Sequence, residues 1–210
     1  MALGQIARRP ALVAVLALTL VASCGLAGRV VPGLAGGTTV DLDSLPRAKI
    51  EAFGTPILRA IVPGAGVDVL LSVRDTNGGV VTWESAEGIT FAFRDGMLIE
   101  TRGLGADLMS ARAPSASSVA SGAASRRSYW AVGDDDVNLR RDYDCAPQSA
   151  GTETVEIYGR AHATRVVEEA CTGTDSRMKN KFWFEGGQIR QSRQFVSPNA
   201  GHAFFFRIVD

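Results

Sequence analysis

The stretch that decides the fold lies at residues 67–102 and reads VDVLLSVRDTNGGVVTWESAEGITFAFRDGMLIETR. From Val67 to Ser72 the residues alternate with the period of two that is typical of a strand with one buried face. Asn77-Gly78 and Asp95-Gly96 interrupt the pattern, and Asn-Gly favours a tight hairpin because both residues tolerate a positive φ. The stretch therefore predicts a meander of four or more antiparallel strands.

The second half of the chain shows the same kind of pattern. Val155 and Ile157 share one face of a strand, a Gly186-Gly187 turn separates two further runs, and residues 204–209 close the chain. About ten strands at regular spacing, without alternating helices, are typical of antiparallel all-β proteins. The predicted fold class is all-β, with an antiparallel meander that forms a barrel-like or sandwich architecture.

Two short helical segments are expected in addition to the strands. The first lies near the N-terminus of the domain, where Asp43 or Ser44 is able to cap a helix that has Pro46 in its first turn. Ile50 would lie on the apolar side of this helix. The second is a helical turn near residues 105–110.

One segment interrupts the strand pattern. Residues 113–125 comprise five alanines, five serines and three other residues, a composition that buries little apolar surface. We predict a surface loop there, and a linker between two domains is the alternative. Because strand patterns resume on both sides, the sequence favours a single β-rich domain at residues 41–210.

The N-terminus has the layout of a secretory signal. Two arginines precede an apolar run at residues 11–21, and small residues follow it. A membrane-spanning helix is the alternative, but such a helix needs roughly 20 apolar residues. Val21-Ala22-Ser23-Cys24 resembles a bacterial lipobox, in which the cysteine is acylated and becomes the first residue of the mature protein. We therefore predict a lipoprotein signal peptide at residues 1–23 and lipidation of Cys24.

The lipid would anchor the protein to a membrane. Each buried methylene of an acyl chain contributes about 0.8 kcal/mol, so two or three chains give lasting attachment. The glycine-rich residues 24–40 are predicted to form a flexible tether. Gly25 follows the cysteine at a position where aspartate commonly signals retention in the inner membrane. This favours the outer membrane, with the protein facing the periplasm.

Two further cysteines, Cys145 and Cys171, remain for disulfide chemistry. In an oxidising compartment two cysteines usually pair, and a closed loop of this length would stabilise the fold by about 3.5 kcal/mol in the chain-entropy picture. A reactive thiol needs a nearby base or positive charge, whereas both cysteines follow acidic residues. We predict a Cys145–Cys171 disulfide, with two free thiols as the alternative.

Composition and charge argue against several classes of function. The 22 basic and 22 acidic residues balance, so no basic surface favours nucleic acid as a partner. The chain has only two histidines, which excludes a histidine-rich metal site and leaves few candidates for histidine catalysis. We expect no metal site, no cofactor and no catalytic residue. Glu168 and Glu169 would point to opposite faces of a strand, which does not suit a glycosidase pair. The acidic run at residues 134–136 suits a solvated turn, with calcium binding as the alternative.

Aromatic side chains are the remaining candidates for a binding surface. Sugar rings stack on exposed aromatic faces, although core packing is the more common role of such residues. The aromatic residues considered for these two roles are Trp83, Trp130, Trp183, Phe195 and Phe206.

Several segments together resemble one known family. They are Trp83 with Glu87-Gly88, TRGLGADL at 101–108, Tyr143 with Cys145 and Cys171, and FWFEGGQIRQSRQFVSP at 182–198 before Gly201. This combination resembles the YjbF/GfcB lipoproteins, which are encoded with capsule and exopolysaccharide export systems of Gram-negative bacteria. The likeness extends from residue 48 to the end of the chain and is interrupted at residues 113–125.

The resemblance implies a mostly antiparallel β lipoprotein of the outer membrane, and it brings no catalytic residues. The candidate contacts with a partner or a glycan are Trp83, Arg102, Trp183, Arg193 and Phe195. For the bend after Arg102 and for the Ser-Arg-Gln segment, there are two interpretations. Either glycines fix a turn that arginine and glutamine hold by hydrogen bonds, or these segments form a partner-binding surface.

The predicted function is that of a non-enzymatic lipoprotein that assists exopolysaccharide or capsule production or secretion. It would contact the membrane through its lipid and would bind export proteins or the polysaccharide. One alternative is a periplasmic glycan-modifying enzyme, which needs two carboxylates about 5–9 Å apart in a cleft. The other is a structural protein of the cell envelope.

Overall fold

A computed structural model describes Met1 and residues 41–132 and 137–210, without the side chain of Asn138. The predicted signal peptide, the tether with Cys24 and the acidic run at residues 134–136 lie outside the described residues. The described part of the chain has no helix with the length and apolar character needed to span a bilayer.

Twelve antiparallel strands in the described residues form one sheet, which curls into a nearly closed barrel. They are β1 (Ile57–Val62), β2 (Val67–Asn77), β3 (Val80–Glu84), β4 (Thr90–Arg94), β5 (Met97–Arg102), β6 (Leu108–Arg112), β7 (Ser125–Val132), β8 (Asn138–Ile157), β9 (Arg160–Thr172), β10 (Arg177–Glu185), β11 (Gln188–Ser197) and β12 (Gly201–Val209). Their order is β5-β4-β3-β2-β1-β12-β11-β10-β9-β8-β7-β6. The predicted all-β, barrel-like architecture is confirmed.

The edges of the sheet are β5 and β6, which lie next to each other without forming a hydrogen-bonded ladder. Every other pair of strands consecutive in the chain is hydrogen-bonded, and β12 joins β1 to β11. The inner face carries the largest apolar cluster, which includes Leu71, Trp83, Phe91, Phe93 and Phe205. The side chains that alternate with a period of two in the sequence therefore point in turn to the inside and to the outside of the barrel.

The tight turns follow the glycines, with one shift from the prediction. Asp95 and Gly96 both have a positive φ and connect β4 to β5 as predicted. The first hairpin turns at Gly78-Gly79 instead of Asn77-Gly78, because Asn77 pairs with Val80 as the last residue of β2. A two-residue turn of this type requires a positive φ at both positions, which two glycines adopt without steric cost.

The N-terminal helix is present, but its cap differs from the prediction. Helix α1 (Arg47–Glu51) begins after Pro46, which is the N-cap residue and offers no side-chain hydrogen bond. The predicted cap at Asp43 or Ser44 is wrong, since these residues belong to a preceding 3-10 turn that Asp41 caps. Ile50 is fully buried, as its place on the apolar side predicted.

The predicted helical turn near residues 105–110 is wrong. Residues 103–107 form a bend, and β6 begins at Leu108. Gly103 and Gly105 both have a positive φ, which a right-handed helix does not accept. Asp107 holds the bend because its carboxylate accepts hydrogen bonds from the Thr101 hydroxyl and from the backbone N–H groups of Gly103 and Leu104.

The segment predicted as a surface loop, residues 113–125, connects β6 to β7 but is not irregular throughout. It contains helix α2 (Ala116–Ala120), whose first turn is capped by the Ser115 hydroxyl. Ala116 and Val119 are buried in a cluster with Met97 and Phe182. Small side chains bury little area, but they let the helix approach these larger residues closely. The strands on both sides of this segment belong to the same sheet.

Candidate binding site at the mouth of the barrel

A cavity of about 440 Å³ lies at one end of the barrel, within the size range of small-molecule sites. Three hairpin turns surround this end, namely those between β2 and β3, β4 and β5, and β10 and β11. The lining residues are Pro56, Leu58, Val73, Thr76, Gly79, Val81, Trp83, Phe93, Asp95, Gly96, Ile189, Arg190, Ser192, Phe205 and Arg207. The site therefore combines apolar and aromatic walls with a few charged groups.

The walls of the cavity come from the inner faces of β3, β4 and β12. Phe205 packs edge-on against Phe93 with ring centroids 4.9 Å apart. Trp83 is buried in the same wall. Val73 and Val81 are less buried, so they offer apolar surface to the free space. Apolar walls of this kind suit the hydrophobic faces of a ligand.

Arg207 is the unusual group in this cavity. Its guanidinium lies over the Trp83 ring, 5.4 Å from the ring centroid, a distance typical of a cation–π contact. Its Nε is buried, and no group in the described residues accepts a hydrogen bond from it. Among the residues that the structure describes, Arg207 forms no ion pair, and burial lowers the pKa of its guanidinium although Asp210 opposes this effect. A partly buried cation without a counter-charge is costly, and a group of this kind at a cavity is a candidate for ligand binding.

The other charged side chains near the mouth already have hydrogen-bond partners within the protein. Arg190 bonds Glu185 at 2.7 Å and both carboxylate oxygens of Asp210 at 2.6 and 2.7 Å. Partial burial acts to raise the pKa of Asp210, but the hydrogen bonds from Arg190 hold that pKa below its usual value. Asp95 accepts a hydrogen bond from the backbone of Ala116. Arg207 is thus left as a charge that a ligand is able to engage.

Of the five predicted contact residues, Trp83 alone lines this cavity. Trp183 is 7% exposed and lies under the β8–β9 hairpin. Its indole N–H donates to Glu153 at 2.6 Å, and the Lys181 ammonium lies 4.6 Å from the ring centroid. The β8–β9 pairing is irregular between Ser149 and Thr152, and Glu153 just beyond this point bonds the indole, so the structure places Trp183 in a packed position instead of on a surface.

Arg102 lies at the seam between β5 and β6. Its guanidinium donates to the carbonyl oxygens of Thr101, Leu108 and Met109 at 2.6, 3.3 and 3.5 Å, and it pairs with Glu100 at 3.0 Å. The last two carbonyls belong to β6, the neighbouring edge strand. Arg102 therefore takes the place of backbone hydrogen bonds at the seam, which supports the structural interpretation of this bend.

Arg193 and Phe195 lie away from the cavity on β11. Arg193 donates to the Lys179 carbonyl, and its buried Nε has no hydrogen-bond partner in residues 41–132 and 137–210. Phe195 is partly buried and contacts Tyr129 and His202 edge-on, with ring centroids 5.5 and 5.6 Å apart. The structure thus does not bring the five predicted contacts together into one site.

The Ser-Arg-Gln segment of β11 forms hydrogen bonds near the seam between β5 and β6, from inside the barrel. The Gln194 side chain accepts a hydrogen bond from the Leu98 backbone N–H at 2.9 Å and donates to the Gly96 carbonyl at 3.0 Å. Further along the segment, the Ser197 hydroxyl donates to the Ala106 carbonyl in the bend. These contacts give the segment a structural role in closing the barrel. Gln194 bonds the edge strand, and Ser197 bonds the bend.

A polar cluster lies in the interior beside the disulfide. Arg127 and Glu169 form an ion pair at 2.9 Å and are 1% and 0% exposed, and Asn180 donates to the same carboxylate. Cys145 and Cys171 are register partners on β8 and β9 and form the predicted disulfide. Their sulfur atoms lie within 4.8 Å of a Glu169 oxygen. Because the sulfurs are bonded to each other and Glu169 is bonded to Arg127, these atoms are engaged within the protein.

Sequence reasoning missed Arg207, although a signal for it exists. Ala203, Phe205 and Arg207 occupy alternate positions of β12, and the first two face the core. A charge in the inward phase of an apolar strand is unusual and indicates a partner or a site. The remaining wall residues of the cavity come from strands far apart in the chain, which no local pattern reveals.

The architecture defines the class of this protein as a nearly closed antiparallel β-barrel with an aromatic cavity at one end. The sequence profile described as "Group 4 capsule polysaccharide lipoprotein gfcB, YjbF" matches residues 40–205. The chain therefore belongs to this family of capsule polysaccharide lipoproteins, as the resemblance indicated.

Comparison with solved structures supports the fold. The crystal structure of the hypothetical lipoprotein YmcC from Escherichia coli K12 superimposes with a TM-score of 0.70 at 19% sequence identity. The match covers 79% of this chain and 89% of that one. Comparison with curated proteins gives no match.

Proposed function

We propose that this protein is a non-enzymatic lipoprotein of the outer membrane that faces the periplasm and assists capsule or exopolysaccharide production or secretion. It acts by binding a segment of the polysaccharide at the mouth of the barrel. Membership of a capsule polysaccharide lipoprotein family supports the pathway. The cavity that combines aromatic walls with the unpaired Arg207 is the observation that supports glycan binding.

The state of the carboxylates near the mouth favours binding over catalysis. A glycosidase needs a general acid whose pKa is raised. Here a hydrogen bond from His162 and another from Arg190 lower the pKa of Glu185, although desolvation opposes them. Asp210 is likewise held by Arg190. Carboxylates in this condition stabilise neighbouring cations and are poor proton donors at neutral pH.

A cavity-filling variant tests the proposal in cells. The gene is deleted in a strain that produces the polysaccharide and is restored as the wild type, Val81→Trp or Thr82→Trp. Val81 lines the cavity, whereas its neighbour in β3 does not, so Thr82→Trp controls for the added bulk. We expect the wild type and Thr82→Trp to restore the secreted polysaccharide and Val81→Trp to fail at equal protein level. Full restoration by Val81→Trp would reject the cavity as the functional site and favour contact with an export protein.

Lipid attachment and location are tested separately. Mass spectrometry of the mature protein is expected to show an acylated Cys24 at its N-terminus, and fractionation is expected to place the protein in the outer membrane. Cys24→Ala should release it from the membrane fraction, because the acyl chains supply the anchoring energy. An unmodified thiol with the leader still attached would contradict the proposed anchor.

A further inference from the structure

We propose that the cavity recognises a carboxylate-bearing sugar residue, with Arg207 as the residue that binds the carboxylate. This inference rests on the proposed function, since it names the chemical class of glycan that the same cavity takes. It is carried by the position of Arg207, which lines the cavity, places its guanidinium over the Trp83 ring and has no anionic partner among the described residues.

Arg207 shares a buried Nε without a partner in the described residues with Arg193, but Arg193 does not line the cavity, and three further arginines give a contrast. Arg59 bonds the carboxylates of Asp68 and Asp43, Arg127 bonds Glu169, and Arg190 bonds Glu185 and Asp210. Each of these three side chains has its counter-charge within the protein. Arg207 faces Trp83 instead, and the face of an aromatic ring stabilises a positive charge less than an ion pair does.

The geometry of the wall explains how a sugar would be held. A guanidinium presents parallel N–H groups that match the two oxygens of a carboxylate. The less buried Val73, Val81 and Ile189 line the same space and suit the C–H faces of a sugar ring. Binding a carboxylate in this cavity would give Arg207 a hydrogen-bonded partner and relieve the cost of its burial.

The surrounding acids favour a single negative charge on the ligand. Asp95 lines the cavity, and Asp210 acts electrostatically on Arg207. Arg190 also lines the cavity, but Glu185 and Asp210 already engage it, so Arg207 is the cation of the described lining that is left for a ligand. One carboxylate matches this single positive charge, and a sugar of the uronic acid type supplies one carboxylate.

The test compares acidic oligosaccharides with their neutral esters. Binding of trigalacturonate and triglucuronate, and of their fully methyl-esterified forms, is measured by calorimetry with the wild type, Arg207→Gln, Arg207→Lys and Arg74→Gln. Arg74 is 57% exposed on β2 and pairs with Glu84, so its substitution removes the same charge outside the cavity. We expect the wild type and Arg74→Gln to bind one of the acids about tenfold or more tightly than its ester. Arg207→Gln should abolish this preference, and Arg207→Lys should retain part of it.

The possible failures are distinguishable. If an acid and its ester bind the wild type equally, the inference is rejected while glycan binding by the barrel stands. A preference for the acid that survives Arg207→Gln rejects Arg207 as the recognition residue. If no oligosaccharide binds, the inference is rejected, and the proposed glycan site is rejected with it when Val81→Trp also restores secretion. The comparison of acid with ester uses the wild type, so it does not depend on the folding of any variant.

Discussion

Gln194 on β11 reaches across the barrel to the backbone of Leu98 on the edge strand β5, with 2.9 Å between its Oε1 and the Leu98 nitrogen. The same side chain donates to the Gly96 carbonyl at 3.0 Å. An edge strand has unpaired backbone groups, and buried groups of this kind are expensive to leave unsatisfied. One side chain therefore supplies hydrogen bonds that a neighbouring strand would otherwise supply at the seam.

Gln194→Leu should destabilise the barrel by about 1–3 kcal/mol, because the buried Leu98 N–H loses its acceptor. Urea unfolding measures the change, and hydrogen exchange should show faster exchange of the Leu98 amide. Gln191→Leu on the same strand is the matched control, since its side chain makes no hydrogen bond to β5 within the described residues. Equal stability of the two variants would contradict the proposed role of Gln194.

The disulfide between Cys145 and Cys171 joins register partners on β8 and β9. The double variant Cys145→Ala/Cys171→Ala should lose about 3.5 kcal/mol of stability in the chain-entropy picture, because its unfolded chain is no longer constrained. Urea unfolding checks this value. Reduction of the wild type should lower the midpoint to a similar extent, and an unchanged midpoint in both experiments would show that the crosslink does not stabilise the fold.

Local patterns predicted the strands well because strand signals act over a few residues. Asp95-Gly96 turns as expected, since both residues have a positive φ and the flanking strands alternate. The shift of the first turn to Gly78-Gly79 shows the limit of such signals. Two adjacent glycines compete with Asn77 for the central positions, and the pairing of Asn77 with Val80 decides between them.

The features that sequence reasoning missed depend on distant contacts. Helix α2 is stabilised by burial of Val119 near Met97 and Phe182, and these residues are far apart in the chain. Trp183 is covered because Glu153 of another hairpin reaches its indole nitrogen. The cavity likewise combines residues of several strands, so its residues were not predicted as a group. Arg207 alone offered a local signal, as a charge in an inward position.

The buried ion pair of Arg127 and Glu169 makes a third prediction. Arg127→Met should cost about 3–5 kcal/mol, because it leaves an uncompensated carboxylate in the core. The double variant Arg127→Met/Glu169→Leu should recover most of this loss, since apolar replacements often substitute well for a buried pair. Arg74→Met, which breaks the exposed pair with Glu84, should cost less than about 1 kcal/mol. Urea unfolding measures all three, and a double variant no more stable than Arg127→Met would contradict this account.

His202 makes the stability of the protein depend on pH. Burial of its ring and the nearby positive charge of Arg193 lower the pKa of His202 below the ordinary value of 6.5. The unfolded chain then binds a proton at a higher pH than the folded protein does, so stability is fully present above pH 6.5 and is lost as the pH falls towards the folded pKa. The loss reaches at most about 1.4 kcal/mol per pH unit in that window.

The measurement is urea unfolding between pH 7.5 and pH 5 for the wild type and His202→Gln. As the pH falls from 6.5 towards 5, the wild type should lose more stability than His202→Gln, because the variant lacks the ring whose pKa burial lowers. Glu185, whose pKa a hydrogen bond from His162 lowers, contributes below this window, where carboxylates titrate. Parallel curves for the two proteins above pH 5 would show that His202 does not cause the effect.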